Sequence, residues 1–227
     1  MFKYTCNSFV QNKNLQSAKK ILTSVNFLNQ MNKLKAVCVY CGSNFNGDVQ
    51  LRTAIKQLAE VLVKEDIRLV YGGGSVGVMG ILANDVLELG GQVTGVIPQF
   101  LMDKEVGHKG ITEMILTENM HQRKQKMADL SDGFIILPGG LGTLEEFFEV
   151  LTWLQLGLHN KPIGVLNVNG FYDPLFAQME MMVQSRFLKP ANRDLVFNEV
   201  DATTLIDKMD LFSAVPDEVW FKERDLT

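Results

Sequence analysis

The chain has 227 residues, of which 46% are hydrophobic, and a formal net charge of −4 at pH 7. This hydrophobic content is sufficient for a folded core and excludes a disordered chain, while the acidic balance argues against nucleic acid or an anionic membrane as a partner. Because there is no apolar run near the roughly 18 residues of a membrane-spanning helix, no signal-peptide pattern and too few cysteines for a disulfide framework, we expect a cytoplasmic protein.

Most of the chain alternates between strand-like and helix-like patterns. Residues 1–33 are polar and weakly periodic, and they are predicted to form an N-terminal extension with one helix, from Ser17 to Met31. From Lys35 onward, short runs rich in β-branched residues follow one another: KAVCVY, IRLVY, VTGVIP, GFIIL and PIGVLNV. Amphipathic stretches separate these runs, near 48–65, 77–90, 119–131, 143–158 and 173–187. This alternation is typical of a parallel sheet with helices on both faces.

Two weaker patterns extend the predicted sheet. The run ITEMILTE (111–118) favours an extra strand, and RDLVFNE (193–199) favours an edge strand before a helix at 202–212. No linker or internal repeat interrupts the series. The sequence therefore predicts a single α/β domain over residues 34–215, with a doubly wound parallel sheet, and a tail at 216–227.

Three loops that follow predicted strands are rich in glycine: CGSN, YGGGSVGVMG and PGGLGT. In a parallel sheet these loops share one edge, where ligands bind. Glycine lets a ligand approach the main chain, and a helix that begins after the loop adds free N–H groups and the positive end of its dipole. The loops therefore predict a phosphate-type anion site. Its candidate contacts in the first two loops are Gly42, Ser43, Gly73 and Gly74.

Two common nucleotide sites do not fit these loops. The segment from Gly72 to Gly77 matches G-x-G-x-x-G, but it follows the second strand, and the next strand ends in Ile-Pro-Gln where a ribose-binding acid is expected. No G-K-[ST] follows any of the loops. These observations argue against a dinucleotide site and against a P-loop nucleoside triphosphatase.

The cysteines and histidines give no metal or redox pattern. Cys38 and Cys41 form a C-x-x-C at the end of a predicted buried strand, not at a helix start where the dipole would lower a thiol pKa. We interpret the pair as structural. His108, His121 and His159 are too scattered for a metal motif, and no acid cluster suits Mg²⁺, so we expect neither a metal nor a cofactor.

The segment PGGLGTLEE (138–146) combines a glycine loop with a helix start. Pro138 ends the strand, and Thr143 is predicted to be the helix N-cap, with Glu146 three residues later as in a capping box. A cap needs no preceding glycines, and a phosphate site does not favour a nearby carboxylate. We therefore expect a chemical role for Glu146 as well.

An arginine interrupts the apolar stripe of the predicted helix that precedes this loop. Arg123 lies between Met120 and Met127 on that stripe, and Lys124 flanks it. A buried arginine needs an acid or an anionic ligand, so the alternatives are a core ion pair, a snorkelling side chain and an anion site. Because the helix leads into the strand of the PGGLGT loop, we favour an anion site that Glu146 faces. One carboxylate and one arginine suit cleavage of a glycosidic bond.

Read as P-G-G-x-G-T-x-x-E, with MHQRK upstream, these segments resemble the Lonely guy family of cytokinin riboside 5′-monophosphate phosphoribohydrolases, whose members are often mislabelled lysine decarboxylases. The resemblance runs from about Lys35 to Leu195 and includes CGS, YGGGSVGVMG, TWLQLG and KPIGVLNVNGFYD. It implies a Rossmann-like fold, a homodimer and hydrolysis of a nucleoside 5′-monophosphate to free base and ribose 5-phosphate. The base is left open between isopentenylated adenine, adenine and another purine or pyrimidine.

The resemblance also implies roles for individual residues. The family's catalytic arginine and glutamate correspond to Arg123 and Glu146. Glu105 lies in a loop, DKEVGHKG, that departs from the family's usual wording. The implied substrate-binding residues are Glu105, Lys124, Gly139, Gly140, Leu141, Gly142, Thr143, Leu144, Glu145 and Thr152.

A non-catalytic nucleotide carrier, like the molybdenum-cofactor carriers that the chain also resembles in fold, is the alternative function. Such a carrier needs the phosphate loop but no Arg–Glu pair, so Arg123 and Glu146 favour the enzyme. The homodimer has a separate argument. The helix TLEEFFEVLTWLQLGLHN is apolar on nearly every side past its first turn, and we expect a partner subunit to cover it. The alternative is that the C-terminal helix folds back over it.

Overall fold

The computed structural model describes residues 33–104 and 107–213. Glu105, the predicted helix from Ser17 to Met31 and the predicted tail at 216–227 lie outside the described residues. The predicted domain boundaries therefore stay predictions.

One parallel sheet organises the described part of the chain. Its order is β4-β3-β2-β1-β5-β6-β7, and every neighbouring pair is parallel. Near the centre, Val37 of the first strand lies beside Leu69 on one side and Gly133 on the other. The strands are β1 Ala36–Tyr40, β2 Arg68–Tyr71, β3 Val93–Pro98, β4 Glu113–Thr117, β5 Gly133–Ile136, β6 Ile163–Leu166 and β7 Val196–Glu199.

Helices cover both faces of this sheet. They are α1 Val49–Lys64, α2 Gly77–Glu88, α3 Gln99–Met102, α4 Met120–Asp129, α5 Leu141–Gln155, α6 Asp173–Gln184, α7 Pro190–Arg193 and α8 Ala202–Asp210, with a 3₁₀ turn at Val168–Gly170. Helices α1, α2 and α8 pack in one hydrophobic cluster, and α4, α5 and α6 pack in the other. The predicted α/β fold, a doubly wound Rossmann-like sheet, is confirmed. Within the described ranges, no helix has the length and apolar character to cross a membrane.

The first strand shows why the sequence pattern was so apolar. Side chains alternate between the faces of a strand, so Val37 and Val39 join one cluster while Cys38 and Tyr40 join the other. Cys38 and Cys41 are buried and unbonded, and burial raises the pKa of both thiols well above the usual value. Both observations agree with a structural interpretation of the C-x-x-C.

The strand order places a ligand-binding edge at the centre of the molecule. The chain runs from β1 through β2 and β3 to β4 on one side, and then from β5 to β7 on the other. The order therefore reverses between β1 and β5. In open parallel sheets ligands bind outside the carboxyl ends of the strands at such a switch point.

Candidate active site

A cavity of about 570 Å³ opens where the glycine loops meet at the carboxyl ends of the central strands. Main chain after β1, β2 and β5 forms its floor, and α4 and α5 contribute side chains to its wall. Ten of the predicted site residues line it: Gly42, Ser43, Arg123, Gly139, Gly140, Leu141, Gly142, Thr143, Glu145 and Glu146.

The loops after β1 and β2 are bonded to each other. The carbonyl of Gly42 accepts hydrogen bonds from the N–H groups of Val78 (3.1 Å) and Met79 (3.4 Å), which lie in the first turn of α2. A side chain at Gly77, where φ is +64°, would place its Cβ 2.2 Å from the carbonyl carbon of Ser43. The start of α2 after the G-x-G-x-x-G segment therefore holds the loop that follows β1.

The two glycines predicted as contacts in the second loop, Gly73 and Gly74, do not line the cavity. The carbonyl of Gly73 accepts a hydrogen bond from His108 N–H (2.8 Å), and Gly74 forms a bridge with Gly107. Neither residue is part of the cavity lining, whereas Gly72, which was not among the predicted contacts, is part of it.

The start of α5 differs from the predicted capping box. The helix begins at Leu141 with Gly140 as its N-cap, and no side chain caps it. The predictions of Thr143 as N-cap and Glu146 as its capping-box partner were therefore wrong. Thr143 lies inside the first turn, buried against Gly139, where a Cβ would come 2.1 Å from the Thr143 hydroxyl oxygen. That close packing outweighs the local preference for a threonine cap.

The uncapped start of α5 leaves main-chain N–H groups free at the glycine loop. The first N–H groups of a helix have no acceptor within the helix and carry the positive end of its dipole. A Cβ at Gly140 or Gly142 would meet nothing within 4 Å. These glycines therefore present bare main chain to the cavity.

Arg123 and Glu146 face each other in the cavity wall. The Nη2 of Arg123 lies 3.3 Å from Oε1 of Glu146, and each side chain is 11% exposed. The guanidinium is also fixed on its inner side, since Nε donates to the carbonyl of Val96 (3.2 Å). Arg123 is presented by α4, whose N-cap Asn119 accepts from Gln122 N–H at 3.0 Å.

The surroundings of Glu146 bring the pKa of its carboxyl group close to 7. Burial raises the pKa of Glu146 from its usual 4.5 to about 7, against the lowering effect of Arg123. Glu145 and Glu149 raise this pKa further, and Lys124 lowers it. A carboxyl group that titrates near pH 7 in a cavity can accept or donate a proton during catalysis.

Three further predicted residues on α4 and α5 lie outside the cavity lining. Lys124 is buried, and its Nζ donates to Glu145 Oε1 (2.5 Å) and Glu149 Oε1 (2.9 Å). Leu144 is partly buried against the core, and Thr152 is exposed. The described part of the chain holds no group of three or more His, Cys, Asp or Glu side chains that could bind a metal.

Residues that the sequence did not single out complete the lining of the cavity. They lie in the loop after β1, at the start of α2 and in the turn after β6. The only sequence signal for the residues after β1 is their position in and directly after the glycine loop CGSN. They include Asn44, Phe45, Asn46, Met79 and Phe171.

The chain is similar to one protein family and to relatives that carry the same enzyme name. The chain matches the family model described as "Possible lysine decarboxylase" over residues 79–209. It is 44% identical to a cytokinin riboside 5′-monophosphate phosphoribohydrolase of Arabidopsis thaliana over 192 residues, which is 85% of this chain and 84% of the relative. It is 45% identical to a probable enzyme of the same name from Oryza sativa subsp. japonica over 183 residues, covering 81% of this chain and 82% of the relative.

A more distant likeness concerns the fold alone. The Moco carrier protein of Chlamydomonas reinhardtii is 19% identical and superposes with a TM-score of 0.58, covering 78% of this chain and 95% of that chain. An identity this low establishes a shared architecture and leaves the site's chemistry to its residues.

Proposed function

This chain belongs to the family of cytokinin riboside 5′-monophosphate phosphoribohydrolases, and we propose that it hydrolyses the N-glycosidic bond of a nucleoside 5′-monophosphate to free base and ribose 5-phosphate. The observation that carries this proposal is the Arg123–Glu146 pair, 3.3 Å apart in the wall of a cavity that begins at an uncapped helix. The relatives at 44% and 45% identity support the same reaction.

The start of α5 is the proposed phosphate site. Its bare main chain at 139–143 offers N–H groups and a helix dipole to the monophosphate, and Arg123 adds a positive charge beside them. The ribose then lies near Glu146, and the base extends towards the part of the cavity lined by Phe45 and Phe171. This arrangement uses the phosphate for binding and leaves the glycosidic carbon next to the carboxylate.

The proposed reaction is a direct hydrolysis. As the C1′–N bond breaks, its electron pair leaves with the base and positive charge develops on the ribose, which the Glu146 carboxylate stabilises. Water forms the new C1′–O bond and gives up a proton to Glu146. The departing base takes up a proton from solvent, and Glu146 releases its proton to solvent, which restores the carboxylate. Arg123 binds the substrate. It also opposes the rise in the Glu146 pKa, so Glu146 is ionised in a fraction of the protein molecules at neutral pH.

Two other functions agree less well with these residues. A non-catalytic carrier of the same fold requires no Arg–Glu pair, and the likeness to the Moco carrier protein is one of fold. A pyridoxal phosphate decarboxylase would need a lysine in its cavity to form the Schiff base. Among the described residues that line this cavity there is no lysine, and Lys124 is bonded to two glutamates outside it.

A nucleotide panel tests the proposal. Purified protein is incubated with purine and pyrimidine monophosphates, the isopentenylated adenine nucleotide and the matching nucleosides, and ribose 5-phosphate and free base are measured. We expect release from monophosphates only, at a rate that EDTA leaves unchanged. Tight nucleotide binding without any release would contradict the enzyme and favour the carrier.

We also propose that the protein is a cytoplasmic homodimer that uses α5 as part of its interface. The alternative cover for this helix is not available from α8, which packs against α1, β6 and β7 on the other face. The structure narrows the predicted apolar surface, since Phe147, Val150, Leu151 and Leu154 are buried within the chain. The apolar side chains that remain exposed on or beside α5 are Leu141, Phe148 and Leu158.

A further inference from the structure

Gly72, the glycine directly after β2, lies against the side chain of Arg123. A Cβ built on Gly72 would lie 2.1 Å from Nη2 and 3.2 Å from Cζ of Arg123, and its next neighbour, Met79 Sδ, would lie at an ordinary 3.4 Å. The guanidinium of Arg123 therefore occupies the space where any other residue at position 72 would carry its side chain.

Other contacts fix the guanidinium in this place. Its Nε donates to the Val96 carbonyl at the end of β3, and its Nη2 faces Glu146 on α5. Arg123 reaches from α4 across the ends of β3 and β2 to do so. The main chain of Gly72 thus forms the floor on which the guanidinium lies between two fixed partners.

The neighbouring glycines serve the fold in a different way. A Cβ at Gly77 would meet the main chain of Ser43 at 2.2 Å, and a Cβ at Gly80 would meet the Ser75 carbonyl oxygen at 2.1 Å. Main chain cannot move aside cheaply, whereas the far end of an arginine side chain can. Gly72 also lies outside the left-handed region, so alanine there causes no backbone strain.

We propose that Gly72 is a positioning residue, whose missing side chain allows the Arg123 guanidinium to lie opposite Glu146. The proposal rests on the phosphoribohydrolase function for its kinetic consequence and on the contacts of Arg123 for its structural one. A methyl group at position 72 displaces the guanidinium and leaves the fold intact, so Gly72 is required for activity and dispensable for folding.

The first experiment compares Gly72→Ala with Gly110→Ala. Gly110 is exposed, has no left-handed φ, and its Cβ would meet only His108 at 3.4 Å or beyond. We expect Gly72→Ala to lower kcat/KM by about tenfold or more while the protein stays fully folded at the assay temperature, and Gly110→Ala to leave kcat/KM unchanged. Wild-type kcat/KM in Gly72→Ala would overturn the proposal, and so would an activity loss that is explained by unfolding at the assay temperature.

The second experiment needs no substrate, so it stands even if the proposed function fails. The Glu146 side-chain carboxyl is titrated by NMR with selective ¹³C labelling, in wild type, Gly72→Ala, Arg123→Ala and the double variant. Because Arg123 lowers the pKa of Glu146, its displacement in Gly72→Ala should raise that pKa above about 7. The other charged and titratable groups that face Glu146 or its neighbours are Lys124, Glu145, Glu149, Cys38, Tyr40 and Cys41.

The double variant separates an effect through Arg123 from a direct effect of the methyl group. If Gly72 acts through Arg123, alanine at position 72 has no further effect on the Glu146 titration once Arg123 is alanine. An equal shift in both backgrounds, or no shift in Gly72→Ala, would overturn the proposal. If the wild type hydrolyses no nucleotide but the Glu146 titrations of the four proteins follow this pattern, the proposed enzyme activity is refuted and the positioning role of Gly72 is retained.

Discussion

Glu146 is subject to two opposing influences on its pKa. Burial favours its neutral form and Arg123 favours its charged form, and burial dominates, which gives a pKa of about 7. If the carboxylate is the active form, kcat/KM, which reports the free enzyme, rises with pH through about 7. The substrate phosphate titrates at about 6 as well, so the measurement is kcat/KM across a pH series that extends well above the phosphate pKa. A rate that falls over the same range would assign Glu146 the opposite role, that of a proton donor.

Glu146→Gln removes both the charge and the proton-accepting group while keeping the size of the side chain. We expect turnover to be lost and nucleotide binding to be retained, as measured by ribose 5-phosphate release and by calorimetry. Retained turnover would contradict the catalytic role of Glu146.

The Glu146→Gln substitution should also change how the unfolding free energy depends on pH. Because the folded pKa lies above the usual 4.5, the folded state binds more protons than the unfolded state between pH 4.5 and 7. The stabilisation is complete below 4.5 and is lost as the pH rises through about 7. Wild type should therefore lose up to about 3 kcal/mol of unfolding free energy relative to Glu146→Gln over this range, in denaturant titrations at each pH.

Arg123 combines features of two of the three possibilities that the sequence left open, an ion pair and an anion site, because it pairs with Glu146 and also lines the cavity. If its guanidinium meets the substrate phosphate, Arg123→Ala weakens the affinity for nucleoside monophosphates much more than for the matching nucleosides. Calorimetric titration of both ligands measures the difference. Equal losses would show that Arg123 is only a structural partner of Glu146.

Between elements, Lys124 ties α4 to α5 through Glu145 and Glu149, the residues one before and three after Glu146. Burial lowers the pKa of Lys124, but its hydrogen bonds to the two glutamates outweigh this effect and raise it. The pair with Glu149 is more enclosed than the pair with the half-exposed Glu145. The contact therefore holds the helix turn that carries Glu146.

We expect Lys124→Met to lower the unfolding free energy by about 1–3 kcal/mol, less than for a fully buried ion pair because Glu145 is exposed to solvent. Lys126→Met, on the exposed side of the same helix, is the control and should change it by less than about 0.5 kcal/mol. Denaturant unfolding without substrate measures both. An unchanged stability in Lys124→Met, with a raised KM, would instead support the substrate contact that the family resemblance implies.

Strands and helices could be predicted from the sequence where the local hydrophobic pattern agrees with the burial of the residues in the structure. The run VTGVIP is buried at every position, so its apolar composition matched strand β3 residue for residue. The start of α5 was not predictable, since the N-cap preference of Thr143 is local while its packing against Gly139 depends on the folded loop. The same holds for Gly72, whose neighbour Arg123 is 51 residues away in the chain but 2.1 Å from its absent Cβ.

At the scale of the whole molecule, the switch point explains how residues so far apart form one site. The loops after β1 and β5 are adjacent because the strand order reverses there, and Gly42 N–H donates to the Pro138 carbonyl at 3.2 Å. The alternation of strands and helices predicted that the loops share an edge. It did not predict that the β2 loop would support its neighbours, because that depends on the contacts of Gly42 with α2.

The proposed homodimer is a property of the whole molecule with a direct test. Exposed Leu141 and Phe148 lie on α5, whose first turns also line the cavity, so an interface there would bring each active site close to the partner subunit. Sedimentation at micromolar concentration should give about twice the 25.5 kDa of one chain. Phe148→Glu should shift the protein to monomers, because a charge in an apolar interface is unfavourable. Phe187→Glu is the matched control, since Phe187 is exposed outside α5 and its substitution should leave the dimer intact. A fully active wild-type monomer would refute the dimer.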